Sequence, residues 1–439
     1  MNPDLHRRPS VPDQPELTWS WPVTAGNEHV TASVLNLGRE PLLRIELQWK
    51  SGTWEEPVFL SGRLMTRLLS EGTTRHSASE WTGAMDFWGA QAHFSIEQER
   101  CTATLYVLEA YVDHAWPLFL EALMEPAFDP EALNRVIQSK IQHWNIESRK
   151  VTVAASRRSR SLVYPYGHPE QRLSFPADYE AVTVDDLREA HRLLIRQKAP
   201  ALGLCGPSAD RFLLRILADV KGAWPQTDFA ASEDTLTSKE NLLEPLSLVI
   251  PEPTPSLMHL PMPEAVQVAL RSTLVFPSKT HLDYHALKIM TVLLGGYFGS
   301  RLMQNLREDK GLTYGVGAGL RSFGDHALMT IQSELQAGSA ELALEEVRFE
   351  MQRLREEEVG KGEFGRVLSY LRGQWMAGMD GPLAMMDRYW DLWHHGLGED
   401  FLRQSVQTMQ DLEPATLRRL AQTYLDPDKA VVVLAGPGL

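Results

Sequence analysis

Residues 294–316 read Leu-Gly-Gly-Tyr-Phe-Gly-Ser-Arg-Leu-Met-Gln-Asn-Leu-Arg-Glu-Asp-Lys-Gly-Leu-Thr-Tyr-Gly-Val. The Gly295-Gly296 pair predicts the end of one helix, and Ser300 lies near the start of the next. That second helix ends shortly after Arg307, and a strand begins at Tyr314. We therefore expect the chain to fold back between these two residues, so that one cation and one phenol point into the same space.

The elements around this segment predict a unit of order β-α-α-β-β-α-α, and the first half of the chain shows the same order. In each half a further helix leads into a last buried strand and a Gly-Pro stop, at Gly206-Pro207 and Gly436-Pro437. The predicted strands are Leu42–Trp49, Gln91–Glu97 and Cys101–Leu108 in the first half, and Ala265–Phe276, Tyr314–Leu320 and His326–Leu335 in the second. The predicted helices are at 56–70, 77–88, 113–124 and 129–146, and at 281–293, 298–308, 339–357 and 361–377.

A long internal repeat of this kind indicates two duplicated domains. Alternating strands with helices grouped in blocks favour an α+β fold, in which each α/β-sandwich domain has a mostly antiparallel sheet with helices packed on one face. We place an N-terminal extension at 1–17, a first domain at 18–224, a polar linker at 225–246 and a second domain at 247–439.

Composition excludes several classes of protein. The formal net charge of −14 argues against nucleic acid and anionic membranes as partners. No stretch approaches the roughly 18 apolar residues of a membrane span, and the N-terminus has no apolar signal-peptide core. We therefore expect a cytoplasmic protein, or a periplasmic one if a leader has been removed. Cys101 and Cys205 lie in apolar runs and are expected to be buried thiols.

Residues 294–316 resemble the C-terminal motif of the insulinase/pitrilysin-type zinc peptidases, or inverzincins, which include mitochondrial processing peptidase. The shared pattern is a Gly-Gly turn, Ser-Arg-Leu, Leu-Arg-Glu, Gly-Leu and a Tyr. The resemblance implies a processing-peptidase-like fold. It also implies that Arg307 and Tyr314 reach across to a zinc-bearing domain, hold the peptide and stabilise the oxyanion at the scissile carbonyl. Without the motif, both would be read as ordinary surface and strand residues.

Active members of that family carry His-x-x-Glu-His on a helix and a distal Glu, and these residues supply the zinc ligands and the general base. Gly72-Thr73 and the Ser77 to Glu80 segment match the residues that follow this motif. Counting back from them places Arg63 and Arg67 at the two imidazole positions and Thr66 at the general base. Lys140 stands where the distal Glu is expected. Arginine does not ligate metals, so we expect a degenerate site and no metal in this chain.

Two pairs of histidines and one basic run are further candidates for a metal or peptide site. His281 and His285 stand four residues apart, a spacing that can bind zinc on one helix face, although no Glu base lies between them. His394-His395 are adjacent and are expected to be ordinary residues. The basic run at 157–160 is interpreted as a solvated loop rather than a peptide-binding patch.

The resemblance implies a non-catalytic subunit of a heterodimeric zinc peptidase. The expected partner is a chain of similar size that bears His-x-x-Glu-His and the zinc, and the expected substrates are peptides that add a strand to a sheet edge. The alternative is an inert scaffold or peptide-binding protein of the same fold, for which a metal-free homodimer is the expected state. A third hypothesis, an independent peptidase with a metal at His281 and His285, is weaker.

Overall fold

The structure, a computed structural model, describes residues 23–25, 32–224 and 253–437. The expected N-terminal extension at 1–17 and the expected linker at 225–246 lie outside the described residues. The domain boundaries placed at residues 18 and 247 lie outside them as well.

The first half is built on a mixed, mostly antiparallel sheet. Its central strand, β3, is apolar at every second position, and Leu43, Ile45 and Leu47 are fully buried. The spatial order is β1-β2-β6-β3-β5-β4, and among the described strands of this sheet only β2 and β6 pair in parallel. The strands are β1 (Val23–Ala25), β2 (Ala32–Asn36), β3 (Leu42–Trp49), β4 (Gln91–Ile96), β5 (Cys101–Leu108) and β6 (Ala201–Gly206).

The second half repeats this sheet. Its order, β7-β11-β8-β10-β9, is the first order without β1, and the pair of β7 with β11 is again parallel. The edge strands β4 and β9 occupy corresponding places. This repetition confirms the duplicated α+β architecture. The strands are β7 (Ser256–Pro261), β8 (Gln267–Pro277), β9 (Thr313–Ser322), β10 (His326–Gln336) and β11 (Val431–Gly436).

Each sheet carries its own block of helices, and a separate hydrophobic core lies beneath each block. In the first half the helices are Ser61–Leu68, Ala78–Phe87, Val112–Met124, Pro130–Glu147, Val151–Val163, Pro176–Glu180, Val184–His191 and Asp210–Ala223. In the second they are Tyr284–Thr291, Ala340–Glu356, Lys361–Ala377, Gly381–His394, Glu399–Asp411 and Pro414–Tyr424. Three short segments near helix ends are π-helical, namely Arg192–Arg196, Val292–Gly296 and Met303–Asp309.

In addition, the second face of each sheet is covered by one helix from the other half. Helix Val151–Val163, from the first half, packs on β8 and β11 of the second sheet, where Val151 and Ala155 meet a small apolar cluster. Helix Gly381–His394, from the second half, packs on β2 and β6 of the first sheet. We call these two the exchanged helices.

The exchanged helix Gly381–His394 explains one glycine. A Cβ at Gly203 in β6 would lie 2.5 Å from Cζ2 of Trp390, so only glycine admits the indole. Cys205 lies in the same contact, and Cys101 lies in the first core; both are buried free thiols, as expected. Burial raises the pKa of each thiol to about 12, so neither is a ready nucleophile.

Candidate functional site

The segment between Arg307 and Tyr314 folds back as the sequence predicts. Arg307 lies in the last turn of Met303–Asp309, and Tyr314 is the second residue of β9. Gly311 joins them with φ +62, a conformation that favours glycine. The N–H of Gly311 donates to the carbonyl of Arg307 at 3.2 Å, and that of Leu312 donates to Leu306 at 2.8 Å. These bonds hold the helix end against the strand start.

The guanidinium of Arg307 is weakly engaged. Its Nε lies 3.5 Å from Oε1 of Glu308, longer than a good charge-assisted hydrogen bond, and the side chain is 37 % exposed. Its Cζ lies 4.8 Å from the ring centroid of Phe298, which is itself largely exposed. The aromatic ring therefore supports the cation from one side while its hydrogen-bond donors stay available.

Tyr314 projects from a free sheet edge. Its side chain is 86 % exposed, and β9 is the last strand of the second sheet in the described residues. The strand start is fixed beside it, because the hydroxyl of Thr313 donates to the carbonyl of Glu334 at 2.6 Å. The phenol therefore stands on a rigid element and faces solvent.

Buried polar contacts hold the helix that carries Arg307. Arg301 is 7 % exposed and forms two parallel bonds to Glu363, Nε to Oε1 at 2.8 Å and Nη2 to Oε2 at 3.0 Å. Asn305 donates to Glu346 and Glu350 at 3.0 and 2.9 Å. Sequence reasoning missed this supporting role, although the Ser-Arg-Leu step of the motif marked Arg301.

The residues that the sequence pattern places at the zinc positions lie on two packed helices. Arg63, Thr66 and Arg67 are on helix Ser61–Leu68, which contacts helix Pro130–Glu147, the location of Lys140. Arg63, Arg67 and Lys140 are exposed, and none of the ion pairs found among the described residues involves them. Thr66 is buried, and its hydroxyl is used within the helix, as a donor to the carbonyl of Gly62 at 3.1 Å.

These four side chains do not fit a zinc ion. Three are cations without a lone pair to offer at neutral pH, and the fourth is a hydroxyl already bonded to backbone. Among the described residues, no group of three or more His, Cys, Asp or Glu has the arrangement of a metal site. We derive no metal chemistry from this chain, and the expected lack of a metal stays a prediction.

The residues used to locate these positions adopt the expected local structure. Gly72 has φ +104 and pairs with Ser77 in a tight bridge. Ser77 then caps helix Ala78–Phe87 in a capping box with Glu80, in which Ser77 N–H donates to Glu80 at 2.9 Å. The chain therefore leaves the Arg63 helix by a turn at Gly72 and enters the next helix at Ser77.

Arg63 also lines a cationic cavity of about 630 Å³. Burial raises the pKa of Glu56 at the wall of this cavity, while Arg63 and Arg172 oppose the shift. The cavity is lined by four arginines and two glutamates, namely Arg63, Arg157, Arg160, Arg172, Glu56 and Glu170. The basic run at 157–160 is therefore not a solvated loop. It belongs to the exchanged helix Val151–Val163.

The His281 and His285 pair does not form one helix face. His281 precedes the helix, which begins at Tyr284, and its ring is 47 % exposed. His285 is buried against Phe401, with ring centroids 4.3 Å apart, and burial lowers its pKa to about 4. Because the two rings have different surroundings, the spacing that suggested a metal pair is not realised.

Comparison with known proteins bears on the fold and on the family resemblance. Residues 181–371 match the family described as "Peptidase M16 inactive domain". Residues 181–371 of this chain are therefore similar to a domain of the M16 peptidases. The family match and the duplicated fold support a non-catalytic, peptidase-like protein, and they confirm the resemblance to insulinase-type peptidases.

Curated relatives are distant. The uncharacterized zinc protease YmxG of Bacillus subtilis is 21 % identical over 77 % of this chain and 79 % of its own length. An uncharacterized zinc protease of Streptomyces coelicolor is 29 % identical over 24 % of this chain, and the match spans only 22 % of that protein.

Solved structures share the fold over nearly the whole chain. A peptidase M16 inactive domain from Pseudomonas fluorescens has a TM-score of 0.82 and 21 % identity, with 95 % of this chain and 98 % of that chain covered. A protease from Helicobacter pylori has a TM-score of 0.77 and 16 % identity, with 95 % and 99 % covered. Within the described residues of our chain, no helix is both long and apolar enough to cross a membrane.

Proposed function

We propose that this chain is the non-catalytic subunit of a heterodimeric M16 zinc peptidase and donates Arg307 and Tyr314 to the active site of its partner. One contrast supports the proposal. Buried contacts hold the backbone that carries the exposed Arg307 and Tyr314, a region we call the Arg–Tyr corner, while the sequence pattern places Arg63, Arg67 and Lys140 at the family's zinc-ligand positions. In this proposal the zinc and the His-x-x-Glu-His motif belong to a partner of similar size.

The two donors suit charge that develops on a scissile carbonyl oxygen. A guanidinium and a phenol are both hydrogen-bond donors, and one carries a full positive charge. Fixed donors need no reorganisation during the reaction, and the backbone bonds around Gly311 and Thr313 supply that rigidity here. In this arrangement the chain stabilises the oxyanion, and the partner activates the attacking water.

The free edge of β9 offers a way to hold an extended peptide beside these donors. Tyr314 lies on this edge strand, and edge strands expose unpaired backbone N–H and C=O groups. A peptide that adds as a further strand satisfies these groups, with little demand on side-chain sequence. Peptides or unfolded segments are therefore the proposed substrates.

The test is peptide cleavage by the reconstituted pair of chains. We would co-express this chain with a partner that bears His-x-x-Glu-His, such as one encoded in the adjacent reading frame, and measure kcat and KM on a fluorogenic peptide. Arg307→Ala should lower kcat by about 10²–10³-fold, the usual effect of losing one oxyanion donor. Arg348→Ala removes an exposed arginine of the same half and should leave kcat within about twofold.

Size-exclusion chromatography separates loss of donation from loss of assembly. The Arg307→Ala chain should still form the complex, because Arg307 makes no strong internal contact. An Arg307→Ala complex that cleaves at the wild-type rate would refute the donor role. A stable homodimer without a zinc-bearing partner would instead favour the scaffold alternative.

A further inference from the structure

A second cavity lies between the two halves, away from the Arg–Tyr corner. We call it the interhalf cavity; its volume is about 420 Å³, within the range of small-molecule sites. The first half contributes the loop between β4 and β5, residues 97–100. The second half contributes the far end of β9 and the helices that begin at Tyr284, Lys361, Gly381 and Glu399.

Contacts between the halves fix one wall of this cavity. Arg321 donates from Nη2 to Oε1 of Gln98 at 2.8 Å. The N–H of Gly324 donates to Oε1 of Glu99 at 3.2 Å. The loop of the first half is thus bonded to the end of β9 and its following turn, so the lining does not depend on one half alone.

Positive charge is concentrated here in a protein of net charge −14. Lys279 is paired with Asp391 at 2.6 Å, and Arg100 is paired with Glu97 at 3.1 Å. Neither Lys288 nor Arg388 takes part in an ion pair found among the described residues. Five Lys or Arg residues and three acidic residues line the cavity, namely Arg100, Lys279, Lys288, Arg321, Arg388, Glu97, Glu99 and Asp391.

Burial and the neighbouring cations shift the pKa values of two lining residues, Lys288 and Asp391. Desolvation, together with the charges of Arg388 and Lys279, lowers the pKa of Lys288 to about 8. Burial acts to raise the pKa of Asp391, but Lys279 and other nearby cations outweigh it and hold that pKa below its ordinary value. The lowered pKa of Asp391 therefore reports a positive potential from its neighbours, and such a potential favours a bound anion.

Two histidines in the lining carry polar atoms without partners. The Nδ1 atoms of His394 and His395 are buried and have no hydrogen-bond partner in the structure. Desolvation and the surrounding cations lower both pKa values to about 4, so both rings are neutral at pH 7. A buried polar atom without a partner is costly, and a bound ligand would relieve that cost.

We propose that the interhalf cavity binds a small organic anion whose phosphate or carboxylate group lies between Lys288 and Arg388. Such a group neutralises two cations that have no carboxylate partner of their own and offers acceptors to neighbouring donors. Trp375 and Phe401, both half-buried in the lining, supply an apolar surface for the rest of the ligand. The site is independent of the proposed peptidase role, because it contains neither Arg307 nor Tyr314.

The test is calorimetric titration of the full 439-residue chain at low ionic strength with phenyl phosphate, benzoate and neutral benzyl alcohol. We expect saturable binding of at least one of the two anions and none of benzyl alcohol at the same concentration. The two anions distinguish a phosphate ligand from a carboxylate ligand. Lys288→Gln and Arg388→Gln should each weaken binding about tenfold or more, since each removes a charge-assisted hydrogen bond.

Matched controls remove the same charges elsewhere. Lys361→Gln and Arg211→Gln change exposed residues outside the cavity and should keep affinity within about twofold. The melting temperature of the cavity variants without ligand should stay close to that of the wild type, because neither Lys288 nor Arg388 takes part in an ion pair among the described residues. Thermal unfolding without ligand thus separates weaker binding from a loss of fold. Absence of anion binding at millimolar concentration, or wild-type affinity in the double variant, would overturn the proposal.

Nuclear magnetic resonance of the imidazoles locates the ligand. A saturating anion in the interhalf cavity should raise the pKa values of His394 and His395 above their starting values of about 4. The imidazole of His191 lies in the first core and should not respond. Binding by calorimetry with no change at His394 and His395 would place the anion elsewhere and overturn the proposal.

Discussion

Two arginines of one motif differ in what their surroundings let them do. Arg301 is buried, and its Nε and Nη2 atoms are both bonded to Glu363, so the residue serves the fold. Arg307, six positions later, meets only a distant Glu308 oxygen and the face of Phe298. Residue type alone does not separate the two roles; burial and the partner carboxylate do.

Replacing Arg301 tests its structural role. Arg301→Ala should lower the free energy of unfolding by about 2–3 kcal/mol, because it leaves the partly buried Glu363 carboxylate without two charge-assisted bonds. Denaturant titration measures the change. Arg348→Ala, which breaks an exposed pair with Asp428, is the control and should cost below about 1 kcal/mol. Equal losses in both variants would contradict the assignment.

Phe298 is expected to position Arg307 in the reconstituted peptidase. Phe298→Ala should reduce kcat/KM about two- to fivefold, since a cation–π contact at an exposed site contributes about 0.5–1 kcal/mol. Phe298→Tyr keeps the ring and should restore activity to near the wild-type level. If Phe298→Tyr is as slow as Phe298→Ala, the ring face is not what supports the guanidinium.

At the scale of elements, the Gly-Gly turn allows a helix to approach a strand closely. A Cβ at Gly295 would lie 2.7 Å from Cβ and 2.8 Å from N of Ala318 in β9. This approach holds the helix segment that precedes Arg307 against the strand that carries Tyr314. The sequence predicts a helix end at Gly295. The structure adds a steric reason for glycine at this position.

Gly295→Ala should therefore destabilise the second half. The extra methyl meets backbone and cannot be accommodated by a side-chain rotation, so we expect a loss of about 1–3 kcal/mol. The control is Gly319→Ala in strand β9, where the space around the added Cβ is open. It should change stability by less than about 0.5 kcal/mol. Thermal unfolding of the two variants decides the matter; equal melting temperatures would rule out the close approach.

Most elements were predictable because their apolar periodicity is strong. Leu42–Trp49 and Lys361–Ala377 have the bounds expected from the pattern. Helix 298–308 was expected as ordinary α-helix, but its end winds into the π-helical turn Met303–Asp309, which periodicity does not register. The run at 157–160 was misassigned, because arginines look solvated until the surface beneath their helix is known.

At the scale of the whole molecule, His191 links stability to pH. Its ring is buried beside Phe128, its Nε2 lies 2.7 Å from the carbonyl oxygen of Leu123, and burial lowers its pKa from 6.5 to about 4. Because the folded pKa is lower, the unfolded chain takes up a proton at higher pH. The stabilisation is complete above pH 6.5 and is lost as the pH falls toward 4.

His191→Gln tests this linkage. Between pH 6.5 and 4 the free energy of unfolding should fall less steeply in the variant than in wild type, by up to about 1.4 kcal/mol per pH unit. Denaturant midpoints at several pH values measure the slopes. His76→Gln changes a partly exposed histidine of the same half and serves as the control. Identical slopes in wild type and His191→Gln would contradict a neutral buried ring.

The duplicated plan of the molecule was visible in the sequence, but the exchange between the halves was not. Both halves repeat the order of strands and the final Gly-Pro stop, and this repeat can be read from the one sequence. Trp390 and Gly203 are in contact although they lie far apart in sequence, and the local sequence around either residue does not predict the contact. For the same reason the interhalf cavity could not be anticipated from residues 279–288 or 388–395 alone.

The exchanged helices also constrain how the protein is made. The first sheet receives its cover, Gly381–His394, roughly 160 residues after its last helix, which at about 5–20 residues per second is a delay of roughly 10–30 s during translation. Until then Leu35, Ala201 and Cys205 present a bare apolar face outside the ribosome. We therefore expect a product that terminates before residue 381 to aggregate more readily than the full chain.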